Sequence, residues 1–197
     1  MKITKKLILA SRSPRRQILL KQIGLQFEAL ESGVDENLED IRVPVDHVTI
    51  LSQRKALEIG KKIDDGFVIG ADTIVVLDGK ILGKPKDEKD AVKMLNTLSG
   101  RTHKVYTGFT ILDRPSNKLH TAFEVTDVTF RKLSPDEIKQ YVGTGSPMDK
   151  AGAYGIQDDY GAVFVEKIDG CFYNVVGFPL TKFYLAMEYF QKHLGLL

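Results

Sequence analysis

Four apolar residues, Leu7-Ile8-Leu9-Ala10, run directly into Ser11-Arg12-Ser13-Pro14-Arg15-Arg16, after which apolar residues return at helical spacing at Ile18, Leu19 and Ile23. This pattern reads as a buried strand feeding a helix. Ser13 is placed to cap the free amide groups, and Pro14 takes the first helical position, where its missing N–H costs nothing. The junction's charge is unusual. Arg15 and Arg16 fall in the first helical turn, the end that already favours an anion, so cations there are unfavourable unless something negative binds. Either these arginines are solvated, or a phosphate chain supplies the missing charge.

Length and composition narrow the classes. At 197 residues the chain can bury a substantial core, as one large domain or one domain with a small lobe. No apolar run approaches the ~20 residues that cross a bilayer, and the basic start Met1–Lys6 leads into too few apolar residues for a signal peptide. The expectation is a cytoplasmic protein with no membrane partner. A net charge of +2, with basic and acidic residues alternating, gives no extended basic face and hence no stable nucleic-acid partner. Any anion site must be local. Cys171 is the only cysteine, which excludes an intrachain disulfide and a cysteine-rich zinc site.

Along the chain, Glu31–Asp40 is an acidic segment of uneven period, read either as a solvated loop or as a source of inward carboxylates, Asp35 or Glu36, for a hard divalent cation. A helix is expected from about Val45 to Lys62, with Val48, Leu51, Ala56, Ile59 and Ile63 on one side. Lys55 falls in the same stripe, where it either snorkels or carries its charge into a cleft. Phe67–Leu77 reads as a buried strand that turns at Asp78-Gly79 into Lys80-Ile81-Leu82. Asp72 interrupts the apolar run. A carboxylate there needs a partner, because burying its charge alone costs several kcal/mol. It is read as a metal ligand or general base, or else as part of a local turn. Gly83-Lys84-Pro85 follows the hairpin, and Lys84 is expected near the end of the Asp72 strand.

Asp87 caps a helix carrying Ala91, Met94, Leu95 and Leu98, which ends at Ser99-Gly100. His103–Leu112 and Lys118–Phe130 read as paired strands, with His103 a structural or surface residue, and Ser134-Pro135-Asp136-Glu137 as a boxed helix start. In Asp149–Gln157, glycines permit close backbone approach, Tyr154 is offered to a ring, and Gln157 has donors and acceptors for a base edge. Gly161–Ile168 reads as a strand, and the last helix carries Phe183, Ala186, Met187, Phe190 and Leu194 as its apolar stripe. Phe172 and Tyr173 are read as core or dimer-contact residues.

Taken in order, Leu9–Arg16, Gly70–Thr73, Gly83–Pro85, Leu98–His103 and Asp149–Gln157 closely resemble the Maf family of nucleoside triphosphate pyrophosphatases, along almost the whole chain. The resemblance implies an α/β fold like that of inosine triphosphate pyrophosphatases: an elongated mixed β-sheet flanked by helices, with an active-site cleft between two lobes. It implies a single domain over residues 1–197, in a homodimer. By the family's pattern Ser11, Arg15, Arg16, Lys55 and Lys84 hold phosphates, Glu36 and Asp72 serve a Mg2+ or Mn2+ ion and the attacking water, and Thr73 and Gln157 orient the nucleotide. Tyr154–Gln157 resembles the branch acting on dTTP and UTP, although Asp158-Asp159-Tyr160 departs from the commoner glycine-containing continuation.

The implied reaction is attack of metal-activated water at the α phosphorus, releasing pyrophosphate and dTMP or UMP. Asp72 is the first choice of general base and Glu36 of metal ligand, with the two roles exchangeable; Lys84 completes the catalytic set. The alternative reading is a nucleotide-binding regulatory protein in cell division or septum formation.

Overall fold

The computed structural model describes residues 2–36, 43–157 and 160–197, so residues 37–40 of the acidic segment and the divergent Asp158-Asp159 lie outside the described residues. In chain order the elements are β1 (Leu7–Leu9), α1 (Pro14–Gln22), β2 (Glu28–Ala29), α2 (Pro44–Gly60), β3 (Gly66–Leu77) and β4 (Lys80–Leu82). Then come α3 (Glu88–Leu98), β5 (Thr102–Arg114), β6 (Leu119–Phe130) and α4 (Pro135–Gly143), followed by 3-10 turns at Ser146–Asp149 and Ala151–Ala153. The chain closes with α5 (Gly161–Phe164), β7 (Val165–Asp169), α6 (Phe172–Val176) and α7 (Leu180–His193).

The strands form one mixed sheet in the order β2-β1-β3-β5-β6-β7, with β4 paired to β3. Helices accompany it, which is the α/β architecture expected. Among the described residues no helix is long and apolar enough to cross a membrane. The chain divides into two compact units: Met1–Asp72, Thr107–Glu124 and Gly177–Leu197 in the first, Thr73–Tyr106 and Val125–Val176 in the second.

In the first unit β1 runs parallel to both neighbours, with Leu9 opposite Ala29 and Ile69. Its core joins Ile8, Ala10, Ala56, Ile59, Val68 and Leu112. The expected stripe of α2 is buried as Val48, Leu51, Ala56 and Ile59, and Lys55 is buried with it. Two glycines set how closely α2 lies on the sheet. A Cβ at Gly70 would strike the Ser52 carbonyl oxygen and stand 2.7 Å from the Ala56 nitrogen, and one at Gly108 would stand 2.5 Å from the Val48 carbonyl oxygen. Strand glycines of this kind mark close backbone approach. Phe183, Met187 and Phe190 of α7 are buried as expected, with Phe183 packed on Phe109 and Phe178.

In the second unit the hairpin forms as read, with Val75 opposite Leu82 and Leu77 opposite Lys80, around Asp78 and Gly79 at φ 50° and 74°. Asp87 caps α3 by accepting from the Asp90 amide at 2.8 Å, and the Ser134–Glu137 capping box opens α4. Two local expectations fail, and a third is narrowed. Ile18 is 63% exposed, because the short α1 buries Leu19 and Leu20 instead. Gly161–Phe164 is a helical turn, and strand pairing with β6 begins only at Val165. A short apolar run does not distinguish strand from buried helix by period alone. Phe172, read as core or dimer contact, is 45% exposed at the start of α6, which removes the core alternative alone.

Candidate active site

The opening junction folds as its sequence dictates. Ser13 Oγ accepts from the Arg16 amide, Pro14 opens the helix, and Ala10 extends the parallel pairing by donating to the Ile69 carbonyl at 2.8 Å. Ser11, 9% exposed, turns its hydroxyl back into the turn, accepting from the Ser13 amide at 3.2 Å and from Arg16 Nη1 at 3.3 Å. Arg16 is held a second time, because its Nε donates to the Gly177 carbonyl at 3.0 Å. This half-buried guanidinium is therefore aimed rather than solvated. Burial lowers its pKa, an effect opposed by the Asp72 and Glu36 carboxylates and reinforced by neighbouring Arg15. Arg12 is exposed and pairs with Glu31.

Asp72 is 7% exposed and finds the partner that its burial demands. Lys55 Nζ donates to its Oδ1 at 2.8 Å and stands 2.6 Å from Oε1 of Glu36. The ammonium thus touches one oxygen of each of two carboxylates. Lys55 does not snorkel to water: its stem lies in the α2 stripe and its enclosed ammonium is delivered to Asp72. Glu36 stands at the solvent side, its side chain half exposed, whereas those of Lys55 and Asp72 are almost wholly enclosed. Ser11, Arg16, Glu36, Lys55 and Asp72 thereby form one cationic and anionic group in the first unit, with Arg15 beside Arg16.

Among the described residues no group of three or more His, Cys, Asp or Glu side chains gathers as a metal cluster. Two carboxylates gathered on one ammonium would suit a magnesium ion, which takes one or two protein carboxylates and completes its shell with phosphate oxygens and water.

The remaining expected residues belong to the second unit. Thr73 follows Asp72 on β3 and is half-buried. Lys84 is exposed after the hairpin, and the preceding carbonyl, Gly83, accepts from the Gly152 amide at 3.0 Å. The segment containing Gln157 is therefore tied to the one containing Lys84. Gln157 is exposed. Tyr154 departs from the sequence reading: its ring is buried on Phe130 at 4.7 Å, and its hydroxyl meets His103 Nε2 at 2.8 Å. It is core. Burial pushes its hydroxyl pKa up, with Tyr141 adding to the effect, and burial pulls His103 down to about 4 against the opposing pull of Asp127.

Sequence reasoning missed the residues that act through backbone. Gly177 supplies a carbonyl that aims Arg16, and Gly70 and Gly108 permit close approach, as Gly152 does in the segment where this was expected. Glycine inside a buried strand was the available signal for Gly70 and Gly108; nothing marked Gly177.

A family model described as Maf-like protein matches residues 6–190. Among relatives, a protein of Clostridium perfringens (strain SM101 / Type A) named dTTP/UTP pyrophosphatase is 48% identical over 185 residues, covering 93% of this chain and 96% of that protein. Proteins with the same name from Carboxydothermus hydrogenoformans and Clostridium botulinum (strain Kyoto / Type A2) are 49% and 53% identical, covering 93% and 90% of this chain and 97% and 93% of their own lengths. With the matched residues spanning nearly the whole sequence, from the Ser11–Arg16 turn to the last helix, the chain belongs to the Maf family.

Proposed function

We propose that the protein is a nucleoside triphosphate pyrophosphatase that hydrolyses dTTP and UTP to dTMP or UMP and pyrophosphate, with its whole length acting as one domain. The observation that carries this reading is the contact of Lys55 with both Glu36 and Asp72, beside the oriented Arg16, in a chain about half identical to three proteins named for that activity.

Phosphoryl transfer asks the protein mainly for position and charge. Ser11, Arg15, Arg16, Lys55 and Lys84 bind the triphosphate; the guanidinium and ammonium groups neutralise pyrophosphate as it leaves. Arg16 needs no reorganisation for this, since Ser11 and Gly177 already hold it. Asp72 accepts the proton of the attacking water as oxygen bonds to the α phosphorus and the bridge to the β phosphate breaks. Glu36 stands as metal holder, with Asp72 sharing or exchanging that role. Magnesium or manganese, when bound there, lowers the pKa of water and neutralises phosphate charge. Thr73 and Gln157 orient the nucleotide, and Gln157 reads the base. A homodimer accompanies this reading from the family resemblance, and a cytoplasmic setting is the expectation that goes with it from the sequence.

The test is a panel of nucleoside triphosphates incubated with purified protein and magnesium, separating pyrophosphate from orthophosphate release. Pyrophosphate with dTMP and UMP is expected. Nucleotide binding without turnover would favour the regulatory alternative instead.

A further inference from the structure

We infer that Lys55 occupies the metal-binding oxygens in the nucleotide-free protein and yields them when a triphosphate arrives, so that metal affinity is coupled to nucleotide. The inference rests on the proposed roles of Glu36 and Asp72 as metal holders and of Lys55 as a phosphate ligand.

The geometry supplies the competition. Lys55 Nζ lies 2.6 Å from Glu36 Oε1 and 2.8 Å from Asp72 Oδ1. A magnesium ion bonds carboxylate oxygens at about 2.0–2.1 Å, so a cation at these atoms stands within a few ångströms of the ammonium hydrogen-bonded to them and the two oppose one another. Without metal the group has no excess negative charge, since two carboxylates face Lys55 and the electrostatic influence of Arg16, with Arg15 beside it. A divalent cation arriving alone meets a neutralised group and must draw the ammonium away from both of its carboxylate contacts.

A triphosphate changes that, because it brings the oxygens to which Lys55 can move. Of the two cations, Lys55 is the one suited to move. Arg16 is clamped by Ser11 and the Gly177 carbonyl, whereas an ammonium on a four-carbon stem pivots between anions at small cost. Glu36, half exposed, leaves the group open on one side for the exchange. By linkage, metal and nucleotide then strengthen one another's binding by the same factor.

The experiment is titration of nucleotide-free protein with Mn2+ at pH 8, reading free Mn2+ by electron paramagnetic resonance rather than turnover. Lys55→Met is expected to bind Mn2+ at least ~10-fold tighter than wild type, a low-end value for removing a unit charge within a few ångströms of a cation. Equal or weaker binding overturns the inference. Adding Asp72→Asn to Lys55→Met should abolish the gain. A gain that survives there, and survives Glu36→Gln as well, refutes the assigned metal holders instead. Should Lys55→Met fail to fold, the wild type still decides. Its Mn2+ affinity should rise at least ~10-fold with a saturating α,β-imido analogue of dTTP, after correction for chelation by the analogue. An unchanged affinity contradicts the coupling.

Discussion

Gly70 and Lys55 are linked through the backbone: the missing side chain of Gly70 admits the α2 backbone at Ser52 and Ala56, and this close seat carries Lys55, one residue before Ala56, to within 2.8 Å of Asp72. A Cβ at Gly70 would meet backbone atoms, which cannot rotate away. Gly70→Ala is therefore expected to lift α2, costing about 1–3 kcal/mol for overpacking. Denaturant unfolding measures the loss, and pyrophosphate release should fall with it as Lys55 and Asp72 separate. Unchanged stability would contradict the close seat.

Gly152 makes a similar demand in the second unit for two reasons. Its φ is +69°, and a Cβ there would stand 2.9 Å from Val75 Cγ2. Gly24, at φ +74°, has nothing within 4 Å of such a Cβ. Both alanine variants pay the left-handed strain of about 1–2 kcal/mol, and only Gly152→Ala adds a steric cost and disturbs the bond to Gly83 beside Lys84. Gly152→Ala should therefore unfold at lower denaturant than Gly24→Ala and raise KM for the triphosphate. Equal stability of the two would reject the Val75 contact as a constraint.

His103 gives stability a specific pH window. Its folded pKa is depressed to about 4 from the ordinary 6.5, so the unfolded chain binds the extra proton between these values. Stability from this group is fully present above pH 6.5 and is lost as pH falls towards 4, by roughly 1–3 kcal/mol. Glu137, held down to about 2 by Arg131 and the Ser134 bonds, loses its contribution lower, between the usual 4.5 and 2. Urea unfolding across pH 4–7 should accordingly show a slope in wild type that His103→Gln flattens. Parallel slopes would remove His103 as its source.

Asp72→Asn should keep its fold, since Lys55 retains Glu36, and should bind dTTP while losing most turnover. Gln157→Ala should change the ranking of dTTP against other triphosphates more than it changes the rate with the best of them. Full activity in the first variant excludes Asp72 as base or essential ligand, and an unaltered ranking in the second excludes base recognition by Gln157.

Much of this was legible in the sequence because local rules decide it. Ser13-Pro14 fixed one helix start, Asp87 and the Ser134–Glu137 box two others, and Asp78-Gly79 the hairpin. Asp72 stood out because a carboxylate in a buried strand requires a partner, although the lysine expected beside it was Lys84 and the one that meets it is Lys55. What stayed hidden depends on contacts distant in sequence. No period distinguishes Tyr154 facing a ligand from Tyr154 packed on Phe130 and His103. Nor does any motif announce that a carbonyl at Gly177 aims Arg16 across 161 positions of chain.

The central claim is attack of water at the α phosphorus, and hydrolysis of dTTP in 18O-labelled water with magnesium tests it most directly. The account predicts one labelled oxygen in dTMP and none in the pyrophosphate released. Label in pyrophosphate, or orthophosphate as the first product, would contradict it.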